Sequence, residues 1–269
     1  MRSFATTFLT SLVLLASAPL SAGGERGGDE FWLEINIPAL RLTVWQGERL
    51  LRAYPISVGL PDFSTPSGSF EITRAEWNPW WHPPTHREWA REEEVTPPGP
   101  NNPMGRVKLF FLPLYFIHGT PEHGSIGTPA SHGCVRMLDE DVIELARLLH
   151  ERADATVGPG EIDAILDRPA LTRHARFKAP VRLRIRYQPV VVEDGDLVIY
   201  PDIYGWGRIH AEGVYQALLA AGVDPAGVAR SRIRAVLEAA GEAQGEVYRV
   251  SLEEAFGAVP SGRVSVNER

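Results

Sequence analysis

The chain has 269 residues, of which 44% are hydrophobic and 23% charged. This composition is typical of a globular protein with a sizeable core and excludes a disordered or fibrous chain. The net charge of −7 disfavours a protein that binds nucleic acid by counterion release, so we expect no nucleic-acid partner.

The first 23 residues have the pattern of an export signal. Arg2 precedes an apolar stretch from Phe8 to Ala18, and small residues follow as far as Gly23. Because this stretch is too short to cross a bilayer stably, we predict a signal peptide over residues 1–23. A retained anchor is the alternative, and it would provide the protein's membrane contact.

Strand patterns follow the signal. Residues Phe31 to Val44 alternate imperfectly between apolar and polar, Gln46 to Glu48 form a turn, and Leu50 to Val58 resume the alternation. This pattern predicts a hairpin. A second turn at 64–68 leads into a short strand candidate, Ser69 to Thr73.

Residues 77–104 are rich in proline, which excludes a regular central strand or a long helix. Long irregular segments in compact domains often carry function. Trp80 and Trp81 are therefore candidates for the wall of a substrate groove, and a surface arm packed on the sheet is the alternative. The charged segment 87–94 has no assigned role, although a lid is one interpretation.

The next elements frame the chemistry. The apolar run Val107 to Ile117 predicts one or two buried strands that end at His118, and a loop follows over 119–133. Asp139 then suits the N-cap of a helix. The apolar residues of this helix recur at i, i+3, i+4 and i+7: Val142, Leu145, Ala146 and Leu149.

The rest of the chain divides into a connecting region, Pro159 to Lys178, and an accessory α+β region over 180–269. The accessory region is expected to contain a hairpin and two helices. The hairpin spans Val181 to Val192 and Leu197 to Tyr200, and the helices span Glu212 to Ala221 and, capped by Asp224, Pro225 to Ala240.

Cys134 is the single cysteine of the chain. It cannot form an intramolecular disulfide, and an exported protein exposes a lone thiol to oxidation. A reactive role is therefore favoured over a buried, inert thiol. A cysteine attacks as its thiolate, which needs a nearby base, and His118, His132 and His123 are the candidates.

The residues around Cys134 suit acyl chemistry. Gly133 permits a tight turn in which backbone N–H groups face a developing oxyanion. Arg136 offers a fixed positive charge for a carboxylate, and Ser131 can support the turn. Each residue alone has an ordinary structural explanation, so it is their combination that indicates function.

Zinc binding is the competing interpretation of these side chains. His118, His123, His132 and Cys134 would suffice for a tetrahedral site. A metal would occupy the thiolate, however, and the sequence has neither an HExxH helix nor paired CxxC motifs. We therefore expect no metal and no other cofactor.

Several stretches resemble the YkuD-type L,D-transpeptidases, a family of bacterial cell-wall enzymes. The signature stretches are Ile117 to Thr120, Ile126-Gly127 and Ser131 to Met137. Further similar blocks are Asn36 to Val44, Pro55 to Gly59, Thr65 to Phe70, Asn78 to Trp81 and Asn102 to Gly105. Tyr187 to Val190 and Tyr200 to Gly205 resemble a C-terminal extension of the Gram-negative periplasmic branch.

The resemblance implies a mostly β catalytic domain over 30–158, a YkuD-like β-sandwich with a helix after the nucleophile, acting in the periplasm. It implies that Cys134 attacks the carbonyl between meso-diaminopimelate and D-alanine of a tetrapeptide stem. D-alanine leaves and a thioester remains. An amine then takes the acyl group, either diaminopimelate in a 3→3 cross-link or a lysine of an outer-membrane lipoprotein.

The resemblance also implies roles for single residues. His118 is the general base, and the carbonyl of Gly119 orients its imidazole. The oxyanion donors fall around His132, Gly133 and Cys134. We add that Arg136, with Ser131 beside it in the same loop, suits recognition of a stem-peptide carboxylate.

Two alternatives to the transpeptidase remain at this point. The family includes members that use water as acceptor, so an L,D-carboxypeptidase or a cross-link amidase would share the same nucleophile motif. A non-catalytic peptidoglycan-binding module would need the tryptophan wall but no thiol.

Overall fold

The computed structural model describes residues 30–257, so the predicted signal peptide lies outside the described residues. Between residues 30 and 257, no helix is both long and apolar enough to cross a membrane.

Ten strands and two helices precede the C-terminal region. The strands are β1 Phe31–Asn36, β2 Arg41–Gln46, β3 Arg49–Pro55, β4 Val58–Gly59, β5 Gly68–Trp77, β6 Val107–Leu112, β7 Tyr115–Thr120, β8 Pro129–Ser131, β9 Val135–Leu138 and β10 Arg173–Arg186. The helices are α1 Asp139–Arg152 and α2 Pro159–Leu166.

Eight of these strands form one sheet, in the order β3-β2-β1-β10-β5-β6-β7-β9, while β4 and β8 pair separately. The two edges of the sheet approach each other, because Ser57, just after β3, exchanges two backbone hydrogen bonds of 2.9 Å with Arg136 on β9. The sheet thus curves around one core. Fully buried side chains from across it share that core: Leu33, Leu42, Ile72, Leu109 and Val135. The prediction of a mostly β fold is confirmed.

The helix expected after the cysteine is α1. Its predicted apolar face is fully buried against the sheet, with Val142, Leu145, Ala146 and Leu149 all at 0% exposure. Asp139 is the first residue of this helix and not its N-cap, which is Leu138. The Asp139 carboxylate instead accepts the backbone N–H of Arg106 at 2.8 Å, so it joins the helix to the start of β6.

Two predictions made from the sequence, one for residues 31–44 and one for residues 159–178, are wrong. Residues 31–44 are not one strand, because the chain turns at 37–40, where Leu40 has a φ of 48° and donates its N–H to Ile37 O. The region 159–178 is not merely a connection. It contains α2, with Pro159 at the first helical position, and the first part of β10.

The accessory region starts later than residue 180. β10 pairs in parallel with β1 and antiparallel with β5, which makes it a central strand of the large sheet. Its alternate residues Val181, Leu183 and Ile185 are buried in the main core. Residues 180–186, which the sequence pattern placed in the accessory region, therefore belong to the eight-stranded sheet.

Beyond β10 the chain forms a small α+β unit. Its elements are β11 Val190–Glu193, β12 Asp196–Ile199, α3 Ala211–Ala220, α4 Arg230–Glu242, β13 Tyr248–Ser251 and α5 Leu252–Phe256. The three strands form an antiparallel sheet with its own buried cluster. Asp224 caps a single 3-10 turn, Pro225–Gly227, and α4 begins after it.

Candidate active site

Cys134 and His118 lie on neighbouring segments at one end of the sheet. β7 and β9 run parallel, with Ile117 opposite Val135 and His118 opposite Arg136, and Cys134 immediately precedes β9. Both side chains line one cavity of about 350 Å³, which Ser131, His132 and Arg136 also line. The structure thus brings together the residues that the sequence singled out. The third candidate histidine, His123, is exposed on the following turn, outside the cavity lining.

The His118 ring is held in one tautomer. It is 1% exposed, and its Nδ1 lies 2.6 Å from the carbonyl oxygen of Gly119. Because a carbonyl oxygen only accepts, Nδ1 carries the proton and Nε2 keeps its lone pair. Burial lowers the pKa of His118 to about 3, and the charges of Arg136 and Lys108 act in the same direction. The imidazole is therefore neutral near pH 7.

Gly119 allows a carboxylate to pack against this strand. A Cβ at residue 119 would lie 1.9 Å from Asp139 Oδ1, an overlap that no side chain can tolerate. The same oxygen accepts the Arg106 N–H described above. The start of α1 therefore presses directly on the peptide whose carbonyl orients His118.

The Cys134 thiol is protonated at rest. It is partly exposed, and its Sγ donates to Leu114 O over 3.6 Å. Burial raises the thiol pKa to about 11, and the Phe116 backbone N–H and the cations Arg136 and Lys108 only partly oppose this. With a neutral imidazole and a neutral thiol, the site has no resting thiolate–imidazolium pair.

The loop before the sulfur is built around Ser131. Its hydroxyl donates to Cys134 O at 2.6 Å and accepts the Gly133 N–H at 3.1 Å. Gly133 has a φ of 109°, and a Cβ there would lie 2.8 Å from the Tyr115 ring. The Gly133 N–H is thus already bonded, whereas the Cys134 N–H has no acceptor within the described part of the chain.

Two cations border the cavity. Arg136 forms an ion pair with Glu122 at 2.7 Å, and its Nε is buried without a partner. Lys108 lies on β6, pairs with Glu76 at 3.0 Å and donates to Trp80 O. Lys108 was not predicted as a site residue, because the run Val107 to Ile117 was interpreted as apolar. The presence of a lysine inside such a run was the available signal.

The tryptophans divide between the cavity and the surface. Trp81 lines the cavity, but Trp80 does not: its side chain is 41% exposed and stacks with His82. The assignment of Trp80 to the groove is therefore wrong in this structure. Neighbouring residues of an extended chain point in opposite directions, so only one of the pair can face the cavity.

The charged segment covers the cavity, and we call residues 82–95 the lid. Its base is closed by Trp81 and Thr96, which exchange backbone hydrogen bonds of 2.9 and 3.0 Å. Trp89, in a short 3-10 turn of the lid, stacks on His132 with ring centroids 3.8 Å apart and planes 6° apart. Burial, together with Arg136, lowers the pKa of His132, and Glu93 opposes this. Trp89 was also missed, although an aromatic residue inside a charged segment was a signal.

Within residues 30–257, no three His, Cys, Asp or Glu side chains are close enough together to hold a metal ion. The groups that line the cavity include a thiol, an imidazole and two cations, a set suited to nucleophilic acyl transfer.

Comparison with known proteins agrees with this chemistry. Residues 30–162 match the family profile of the L,D-transpeptidase catalytic domain, YkuD. The chain is 31% identical over 188 residues to the probable L,D-transpeptidase YbiS of Escherichia coli K12, covering 61% of each protein. It is 38% identical over 100 residues to a putative L,D-transpeptidase of Fuscovulum blasticum, covering 36% of this chain and 52% of that protein. The putative L,D-transpeptidase YkuD of Bacillus subtilis is 30% identical over 131 residues, covering 47% of this chain and 65% of YkuD.

The chain therefore spans between about half and two thirds of the length of these relatives. The matched region contains β1 to β9, the loop of residues 131–134 that ends at Cys134, the lid and α1. Residues 30–162 belong to the YkuD family of L,D-transpeptidase catalytic domains.

Proposed function

We propose that this protein is a peptidoglycan L,D-transpeptidase in which Cys134 carries the acyl group as a thioester. The observation that carries the proposal is that the Cys134 thiol and the buried, neutral His118 line one cavity, with Nδ1 of the histidine bonded to Gly119 O. Membership of the YkuD family supports it. The N-terminal signal pattern supports action in the periplasm.

The first half-reaction transfers the acyl group from the tetrapeptide donor to sulfur. As Sγ bonds to the carbonyl carbon between diaminopimelate and D-alanine, Nε2 of His118 takes the thiol proton. The carbonyl oxygen becomes an oxyanion, for which the unpartnered Cys134 N–H is a donor. The C–N bond then breaks, and the imidazolium returns its proton to the leaving amine of D-alanine.

The neutral resting pair fits this sequence. With a thiol pKa of about 11 and an imidazole pKa of about 3, proton transfer is unfavourable until a carbonyl accepts the sulfur's electrons. The thiol is consequently protected from adventitious reaction while the site is empty, since the thiolate is the reactive form. The positive charges of Arg136 and Lys108 lower the pKa of the thiol and so oppose part of the effect of burial.

The second half-reaction transfers the acyl group to an amine. The amine nitrogen bonds to the thioester carbon, the C–S bond breaks, and His118 relays the amine proton to the leaving sulfur. A diaminopimelate amine gives a 3→3 cross-link, and a lysine of an outer-membrane lipoprotein gives a wall anchor. With water as acceptor the enzyme would be an L,D-carboxypeptidase or a cross-link amidase.

Substrate carboxylates are the ligands we propose for the two cations. Arg136 has a buried Nε without a partner, and Lys108 lies on the same cavity wall. Glu122 holds Arg136 in place and would share it with an incoming carboxylate. Trp81 provides an apolar wall on the lid side.

The test is product analysis with purified, reduced protein and a disaccharide tetrapeptide, with and without a peptide that carries the lipoprotein lysine. We expect release of D-alanine together with cross-linked dimer or lysine conjugate. Cys134→Ala and His118→Ala should abolish release, while His123→Ala, a change at the exposed histidine, should not. Release of D-alanine with only trimmed tripeptide would identify the hydrolase. Binding without release would favour the non-catalytic module and contradict the proposal.

A further inference from the structure

A series of hydrogen bonds links the C-terminal region to the loop of residues 131–134, which ends at Cys134. Tyr204, in the loop between β12 and α3, accepts the backbone N–H of Thr65 on its hydroxyl at 3.1 Å. The Thr65 hydroxyl donates to Gly133 O at 3.0 Å and accepts the Gly59 N–H at 2.9 Å. Thr65 is 0% exposed, so no solvent competes for these bonds. The bonds thus connect a residue outside the matched family domain to the residue before the cysteine.

The hydrogen bond from the Thr65 hydroxyl to Gly133 O fixes the direction of the Cys134 N–H. The Gly133 carbonyl and the Cys134 N–H belong to one planar, trans peptide group, so they point in opposite directions. Thr65 holds the carbonyl on its own side, and the N–H therefore points away from Thr65. That N–H has no acceptor among residues 30–257, whereas the neighbouring Gly133 N–H is bonded to Ser131.

Tyr204 is itself held rigidly. Its ring stacks on Tyr187 with centroids 5.3 Å apart and contacts Trp206 at a tilt of 53° with centroids 5.2 Å apart. Its N–H donates to the Tyr187 hydroxyl at 2.9 Å. The Tyr187 hydroxyl in turn donates to Asp202, which also accepts the N–H groups of Trp206 and Gly207. This aromatic cluster gives the Tyr204 hydroxyl a fixed position against Thr65.

We infer that Thr65 and Tyr204 are positioning residues that aim the Cys134 N–H at the carbonyl oxygen of the acyl donor, so that the C-terminal region completes the oxyanion site. The inference rests on the proposed function, because an oxyanion forms only if Cys134 is acylated. It assigns a role to residues beyond β10 that the family domain alone does not supply.

The experiment compares two reactions of the same sulfur. Acylation, by a carbapenem or a tetrapeptide donor, passes through an oxyanion; alkylation by iodoacetamide occurs at a saturated carbon and does not. Removing a whole oxyanion donor lowers the rate by about 10²–10³-fold. Thr65→Val removes the hydroxyl that directs the Cys134 N–H, so this variant should slow acylation by at least about tenfold. The alkylation rate and its pH profile should stay unchanged. Thr65→Ser, which keeps the hydroxyl, should acylate like the parent.

Tyr204→Phe should have the same selective effect as Thr65→Val. Tyr200→Phe is the matched control, because this tyrosine is equally buried in the same region but donates to Glu193; it should alter neither rate. Parent-like acylation by Thr65→Val would overturn the inference, and so would a parallel loss of both reactions, which indicates a merely structural role. No acylation of the parent protein would instead overturn the proposed function itself.

Discussion

Trp89 stacks face to face on His132, two residues from Cys134 in the chain, and this contact holds the lid over the cavity. An aromatic pair of this kind contributes about 0.5–1.5 kcal/mol. Trp89→Ala should therefore shift the lid toward the open form by up to about tenfold.

The measurement is the rate at which a bulky maleimide labels Cys134, relative to the small reagent iodoacetamide. Trp89→Ala should raise this ratio. Trp80→Ala is the matched control, since Trp80 is exposed outside the cavity, and Trp89→Phe should retain most of the contact. An unchanged ratio in Trp89→Ala would show that the stacking does not restrict access.

Gly119→Ala tests how His118 is oriented. The added Cβ would lie 1.9 Å from Asp139 Oδ1 and 3.2 Å from the Arg106 backbone nitrogen, so the Asp139 carboxylate, the strand or both must shift. A shift of the strand carries with it the Gly119 carbonyl, which orients His118. Because a displacement of about 1 Å at a reacting group can cost about 10²-fold in rate, acylation of Cys134 should fall by about that factor. Gly124→Ala, where a Cβ meets nothing within 4 Å, is the control.

The double variant Gly119→Ala with Asp139→Ala removes the overlapping carboxylate. It should recover part of the lost acylation rate if the clash is the cause. No recovery, together with a parent-like thermal melt, would mean that the glycine acts in another way.

The sequence alone predicts the local chemistry well and the distant contacts poorly. The spacing of His118, Gly133 and Cys134, and the strand and helix patterns around them, suffice to suggest that these residues meet. Thr65, by contrast, is 68 residues from Gly133 and 139 residues from Tyr204. No periodic pattern encodes such contacts, because they depend on how the whole sheet closes.

β10 shows the same limit. Its alternation of arginine and apolar residues predicts a strand, yet its neighbours in the sheet, β1 and β5, lie more than 90 residues earlier in the chain. The sequence pattern therefore assigns it to the next hairpin along the chain.

The sequence of the lid does not predict what the lid covers. Its prolines and charges indicate an irregular segment, but the surface against which this segment packs depends on the folded sheet.

The pH dependence of alkylation tests the neutral resting pair. With a thiol pKa of about 11, the thiolate fraction, and with it the rate of reaction with iodoacetamide, should rise about tenfold per pH unit from neutral pH to near pH 10. His118→Asn should leave this slope intact, since the imidazole is uncharged over that range. A rate that is already level at neutral pH would reveal a preformed thiolate.

Stability should depend on the same histidine at acid pH. The pKa of His118 falls from 6.5 in the unfolded chain to about 3 in the fold, so its stabilising contribution is complete above pH 6.5 and is lost as the pH falls. Between pH 7 and pH 5 the free energy of unfolding should drop by about 2 kcal/mol from this group.

Urea unfolding of the parent, His118→Gln and His123→Gln at the two pH values measures this contribution. The His118 variant should lose about 2 kcal/mol less than the parent between them, and the exposed His123 variant should follow the parent. Equal pH dependence in all three proteins would contradict a buried, neutral His118.

The most direct test of the account is the intact mass of the reduced protein after brief incubation with a tetrapeptide donor. We expect an adduct equal to the donor less D-alanine, located at Cys134 by peptide mapping, sensitive to hydroxylamine, and absent from Cys134→Ala. D-alanine release without any adduct that depends on Cys134, or an adduct that forms equally in Cys134→Ala, would contradict the claim that this sulfur carries the acyl group.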